Sequence, residues 1–188
     1  STFFDEYLPI ISPDQELSFF TRRSDKSSFH SITNTSVEEF VSSKKIKGKF
    51  EVGQALSSPF NMESNEGGAS ITIDNKVLYY TKCIRNKKGY NNCDIYYVNR
   101  GNDGWSAVQT FSDKISKPDS WESQPTVSSD GKTIIFASDR SGGYGKIDLY
   151  EINWEDGKWT VPKNLGSAIN SNEHEKSPYL HTDGKTLF

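Results

Sequence analysis

The chain has 188 residues, 33 % of them hydrophobic and 13 % aromatic, with 22 basic against 25 acidic side chains and a net charge of −3. The length suits one domain, and 11 Phe, 9 Tyr and 4 Trp supply the apolar bulk of a core, which excludes a disordered chain. The slight acidity speaks against a general binder of nucleic acid or anionic membranes, and no apolar run approaches the roughly 18 residues that span a bilayer.

One theme recurs along the chain. Residues 6–22 read EYLPIISPDQELSFFTR, 66–82 EGGASITIDNKVLYYTK, 122–140 ESQPTVSSDGKTIIFASDR and 175–188 EKSPYLHTDGKTLF. Each copy has a glutamate, an acidic turn eight residues later and then an apolar strand. The glutamates Glu6, Glu66, Glu122 and Glu175 stand 60, 56 and 53 residues apart. Self-similarity at such a period indicates a propeller, a solenoid or an array.

The first repeat, about 1–62, is the most divergent. Its turn is Asp14-Gln15, and Gln is a poor residue at positive φ. A third strand is expected at Glu39-Phe40-Val41 and a fourth that includes Gly48-Lys49-Phe50-Glu51. The basic cluster Lys44, Lys45, Lys47 and Lys49 reads as a solvated strand edge. Asn34-Thr35-Ser36 matches a glycosylation sequon in its letters alone. In the second repeat, about 63–119, Asp94-Ile95-Tyr96-Tyr97 is the third strand and Asp103-Gly104-Trp105 turns into the fourth. Cys83 and Cys93 flank the loop between its second and third strands. A cross-hairpin disulfide fits this placement, whereas zinc needs four ligands and no histidine is near in sequence; a disulfide implies an oxidising compartment.

The third repeat, about 120–172, is the cleanest. Pro125–Ser128 is a first strand, Asp130-Gly131 reads as a type I′ turn, and Thr133–Ala137 is a second strand apolar on both faces. A glycine-rich loop at 141–145 follows, then a third strand at Asp148–Ile152, a turn at Asp156-Gly157 and a fourth strand at Trp159–Val161. Asn164-Leu165-Gly166 leads into the next copy. Residues 173–188 begin a fourth repeat, and Phe188 stands where Phe136 stands in the third. The expected fold is an all-β β-propeller of four-stranded antiparallel blades, here three blades plus half of a fourth. Since a closed ring takes four to eight blades, the chain is expected to be part of a longer one, with more blades before Ser1, beyond Phe188 or both.

The repeat also sorts the chemistry. Asp14, Asp74, Asp130 and Asp183 occur once per blade, which favours capping of the hairpin backbone over a metal or catalytic set. Glu6, Glu66, Glu122 and Glu175 precede each innermost strand. They either face the central channel, where they would bind a cation or a basic peptide, or hydrogen-bond the neighbouring blade, the commoner role. His30, His174 and His181 have no metal-ligand spacing, no Gly-x-Ser-x-Gly elbow exists, and the glycine loop at 142–145 lacks the residues of a phosphate loop. Trp105 and Trp159 recur and read as packing residues. Trp121 and Trp154 do not recur and are candidates for partner binding. No cofactor is expected. Loops 24–36, 84–92 and 139–147 would supply contact surface on a rigid frame.

Glu, Pro, Asp-Gly and a Phe-rich strand, followed by Ser-Asp-Arg, Gly-Gly-Tyr-Gly, Asp-Leu-Tyr, Trp and Asn-Leu-Gly, resemble the TolB-type, WD-repeat-like propeller of the bacterial envelope. The resemblance is nearest to outer-membrane proteins that end in an OmpA-like, peptidoglycan-binding domain, and it is closest over 122–188. It implies a non-catalytic interaction platform in the periplasm, associated with the outer membrane. Its partners would be outer-membrane or periplasmic proteins, and peptidoglycan through a domain outside this chain. Some members of the family serve type IX secretion and gliding. Two other classes stay open: a propeller gating a serine peptidase, and a propeller glycosidase with paired carboxylates at a channel mouth.

Overall fold

A computed structural model describes residues 4–26, 35–62, 65–85 and 91–188. These form an all-β structure, with no helix among the described residues and hence none long and apolar enough to cross a membrane. Three antiparallel sheets follow one another in chain order. The first contains β1 (Asp5–Ile11), β2 (Leu17–Lys26), β3 (Thr35–Ile46), β4 (Lys49–Phe50) and β5 (Gln54–Ala55). The second contains β6 (Asn65–Ile71), β7 (Val77–Arg85), β8 (Asn91–Gly101), β9 (Gly104–Trp105) and β10 (Gln109–Thr110). The third contains β11 (Glu122–Val127), β12 (Thr133–Ser138), β13 (Asp148–Glu155), β14 (Lys158–Trp159) and β15 (Lys163–Asn164).

Within each sheet the first three strands pair in sequence order. The outer position is shared by two two-residue strands, both paired to the third strand. The single fourth strands expected at 48–51 and 159–161 are therefore each broken in two. In the third sheet Trp159 faces Trp154 and Asn164 faces Tyr150, with the chain looping out between them. The stretch around Val37–Phe40 is strand, and residues 173–188 form a short hairpin in which Tyr179 and Phe188 exchange both backbone hydrogen bonds.

The first-to-second-strand turns differ from the expected type I′ geometry. At 128–131 the Gly131 amide donates to the Ser128 carbonyl at 2.9 Å, so Ser129 and Asp130 are the central residues, and the positive φ, +70°, falls on Gly131 after them. That is a type I turn closed by a left-handed residue. Gln15 and Asn75 hold this position in the first two sheets at φ 60° and 59°. True two-residue turns with both φ positive occur further out, at Lys47-Gly48 and Asp156-Gly157.

The middle strands are buried on both faces, so they read as continuous apolar runs: Ile134, Ile135, Phe136 and Ala137 are all buried. One buried cluster joins the first and second sheets through Phe19, Phe40, Phe60, Leu78, Tyr80 and Val98, with the Phe40 and Tyr80 rings stacked at 5.9 Å. A second joins the second and third sheets through Tyr79, Ile95, Phe111, Ile134, Phe136 and Ile152. Trp105 and Trp159 each pack their ring against the cluster shared with the preceding sheet, the packing role expected of them. Burying each such aromatic stabilises the fold by about 1.5–3 kcal/mol.

Candidate functional site

The first strands of all the repeats converge. Residues 8–11 and 13, 68–71 and 73, 124–129, and 177–180 and 182 together line a cavity of about 700 Å³. β1, β6 and β11 reach it through the same distortion. The pairing register slips between Tyr7 and Ile10, between Gly67 and Ser70, and between Ser123 and Thr126. Two residues after each repeated glutamate, Leu8, Gly68, Gln124 and Ser177 have φ of 52°, 56°, 56° and 54°. In β1, β6 and β11 these are β-bulges, and Ser177 repeats their backbone conformation. Pro9, Pro125 and Pro178 follow these residues and remove a backbone donor from the strand edge, which blunts it against pairing with another strand.

The amides left over by the bulges are met by the preceding sheet. Gly68 N donates to Thr21 Oγ1 at 3.1 Å and Gln124 N to Thr81 Oγ1 at 2.9 Å. Val127 N donates to Ser70 Oγ, Leu180 N to Thr126 Oγ1 and Ser177 N to Gln124 Oε1. Each repeat is thus fastened to its predecessor by side chain to backbone bonds, as buried amides require.

The four glutamates are not among the residues lining the cavity. A carboxylate needs donors, and each finds them inside the fold. Glu6 pairs with Arg22 at 2.9 Å. Glu66, fully buried, pairs with Lys82 at 3.3 Å and accepts from Asn61 N. Glu122, also fully buried, accepts from Ser120 Oγ, Ser138 Oγ, Arg140 Nη2 and Lys117 N. Glu175 accepts from Ser171 Oγ, and its Oε2 is buried with no hydrogen-bond partner. Arg140 lies between the Phe136 and Tyr150 rings, 5.2 and 5.1 Å from their centroids, and also donates to the Ile115 carbonyl.

The turn acids cap their own hairpins. In the first three repeats a hydroxyl two residues upstream (Ser12, Thr72, Ser128) donates to the aspartate, which also accepts the amide of Glu16, Lys76 or Lys132. These hydroxyl bonds come first among the causes that hold Asp14, Asp74 and Asp130 below the usual carboxylate range. Asp183 accepts two amides and the Thr186 hydroxyl, which lower its pKa in the same way, and lies 3.2 Å from His181. His174 forms a lone bridge with Ile147. His30, Asn34, Lys87 and Lys88, and most of loops 24–36 and 84–92, lie outside the described residues. The glycine loop at 141–145 folds onto Asp148, which accepts the amides of Tyr144 and Gly145.

Cys83 and Cys93 form a disulfide, directly opposite each other on β7 and β8. Trp154 is 43 % exposed and packs edge-on against Trp159. Trp121 is half-buried against Ile135, Ala137 and Leu149, with Lys176 over its ring at 5.3 Å. Among the described residues, no group of three or more His, Cys, Asp or Glu is placed to hold a metal ion.

Three features escaped sequence reasoning. Asn61 and Asn170, each five residues before a repeated glutamate, clasp a third strand through its backbone at Phe40 and Leu149. The repeated Asn-x-x-x-x-Glu spacing was the available signal. The second is the bulge. The third is Asp94, beside Glu122: burial pushes its carboxyl up to about 7, and the neighbouring Glu122 charge adds to the rise.

No protein-family model and no curated protein matches the chain. Among solved structures, a Mycobacterium tuberculosis puromycin-hydrolyzing peptidase is similar, with a TM-score of 0.55 at 10 % sequence identity over 87 % of this chain. The chain spans 23 % of that peptidase, and the likeness is one of fold alone.

Proposed function

We propose that the three sheets are consecutive blades of a TolB-type, WD-repeat-like β-propeller. In this reading the protein is a non-catalytic platform for protein–protein contacts on the periplasmic side of the bacterial outer membrane, within a secretion, gliding or peptidoglycan-linked assembly. The observation that carries the non-catalytic reading is the fate of the repeated acids. Asp14, Asp74 and Asp130 are bound to turn hydroxyls and amides, and Glu66 and Glu122 are buried against Lys82 and Arg140. A glycosidase would need such carboxylates facing a cleft. Converging first strands around one cavity support the propeller, and the disulfide suits an oxidising periplasm.

The likeness to part of a peptidase favours one second reading, a propeller beside a serine peptidase domain. Crosslinking mass spectrometry on the native protein, purified gently from its envelope, separates the two. Crosslinks from Lys44, Lys45, Lys47 or Lys49 to outer-membrane or secretion proteins are the expected result. A protein without reproducible neighbours that takes up a fluorophosphonate serine probe would overturn the platform reading and establish the peptidase one.

A further inference from the structure

The seam between the second and third sheets holds a carboxyl pair. Asp94 lies on β8 of the second sheet and Glu122 opens β11 of the third. Both reach the backbone of Lys117, Asp94 through Asn92 and Glu122 directly. Asn92 Nδ2 donates both to Asp94 Oδ2 at 2.9 Å and to the Lys117 carbonyl at 3.4 Å, and Lys117 N donates to Glu122 Oε2 at 3.1 Å. The charge of the Glu122 carboxylate and a side-chain hydrogen bond to it both act, after burial, to raise Asp94.

The donors around them are unevenly shared. Glu122 Oε1 accepts three, from Ser120, Ser138 and Arg140, whereas Oε2 accepts the Lys117 amide alone. Asp94 Oδ1 is buried with no hydrogen-bond partner. An ionised oxygen in that position would lack a donor beside another anion, which disfavours the charged form. A proton on Asp94 turns this carboxyl from an acceptor without a donor into a donor toward the Glu122 carboxylate. It also balances charge: the pair then carries a single negative charge, opposite the single positive charge of Arg140 at 3.0 Å from Glu122.

We propose that Asp94 and Glu122 share one proton across this seam, and that the proton makes the joint between the two sheets pH-responsive, tight when it is bound and loosened when it leaves. The other charged and titratable groups nearby are already engaged. Lys82, the cross-strand neighbour of Asp94, is bound to Glu66. Tyr96 is turned further toward its neutral form by burial and by the Asp94 and Glu66 charges. Arg140 is fixed between two rings and on the Ile115 carbonyl.

Because the folded acid holds its proton to a higher pH than the unfolded one, the contribution of this pair to stability is greatest below the ordinary aspartate range. It falls as pH rises from the ordinary aspartate range toward about 7, and is level above that. Within the window, each pH unit shifts the folding equilibrium of the full chain by up to about tenfold. Asp94→Asn keeps a donor to Glu122 without a removable proton, so its profile should be flat there and its stability at alkaline pH should exceed that of the wild type. Carboxyl carbon-13 NMR of the folded wild type, in chelator, reads the same proton directly and does not depend on any variant folding. An Asp94 midpoint near 7 is expected. An Asp94 that titrates in the ordinary range, a midpoint that moves when calcium replaces the chelator, or a D94N profile parallel to the wild type would overturn the proposal.

Discussion

At the scale of single residues, Arg140 has most to lose. It supplies the counter-charge to a fully buried glutamate, and removing one partner of such a pair is far costlier than replacing both. Arg140→Met should destabilise the chain by about 3–5 kcal/mol in urea unfolding. Arg140→Lys should recover part of that, since it keeps the charge but loses the planar fork that reaches the Ile115 carbonyl. The turn aspartates act on a smaller scale. Asp130→Ala removes the acceptor for Ser128 Oγ and Lys132 N and should cost about 1 kcal/mol at neutral pH. The folded pKa of Asp130 is depressed, so its contribution is present above the ordinary aspartate range and is lost as pH falls through the folded value. Acid titration of both proteins should therefore show their stabilities converging. The aspartates were legible because they recur at a fixed offset beside turn residues. Arg140 was not, because the cation moves along the strand. Arg22 and Lys82 stand directly opposite their glutamates, whereas Ser138 holds that position in the third sheet and the arginine sits two residues on.

At the scale of elements, the first three strands of each sheet could be read from the apolar runs and the acidic turns between them. The outer strand could be placed, but its break into two-residue pieces could not be read, since such pieces carry no period. The turn type was misjudged because Asp-Gly serves equally well in a type I turn closed by a left-handed glycine, and Asn75 and Gln15 take that place with side chains. The bulges were hidden for a related reason: Leu8 and Gln124 adopt a backbone region where glycine would have announced itself. The disulfide was legible because its cysteines flank one hairpin loop. Replacing Cys83 and Cys93 together by serine opens that loop and should lower stability by about 2–3 kcal/mol, measured by chemical unfolding against the oxidised wild type.

At the scale of the molecule, neighbouring sheets are held by close backbone approach as well as by aromatic packing. Gly67 faces Thr21 of the preceding sheet so closely that any Cβ there would collide with the threonine side chain. Gly67→Ala should push the first two sheets apart and cost about 1–3 kcal/mol, with proteolysis rising in the first sheet before the third. The order of sheets could be read in the repeat, but the seams could not, because a hydroxyl that serves the next repeat looks in sequence like any exposed polar residue. The bonds from Thr21, Ser70, Thr81 and Thr126 reach only to the following copy. Mechanically, that makes the chain a row of links. Drawn out by its ends under force, it should lengthen in separate jumps of about 200 Å, one per repeat. The jump of the second repeat should be shorter by about 35 Å while Cys83 and Cys93 are joined, and should regain its full length under reductant.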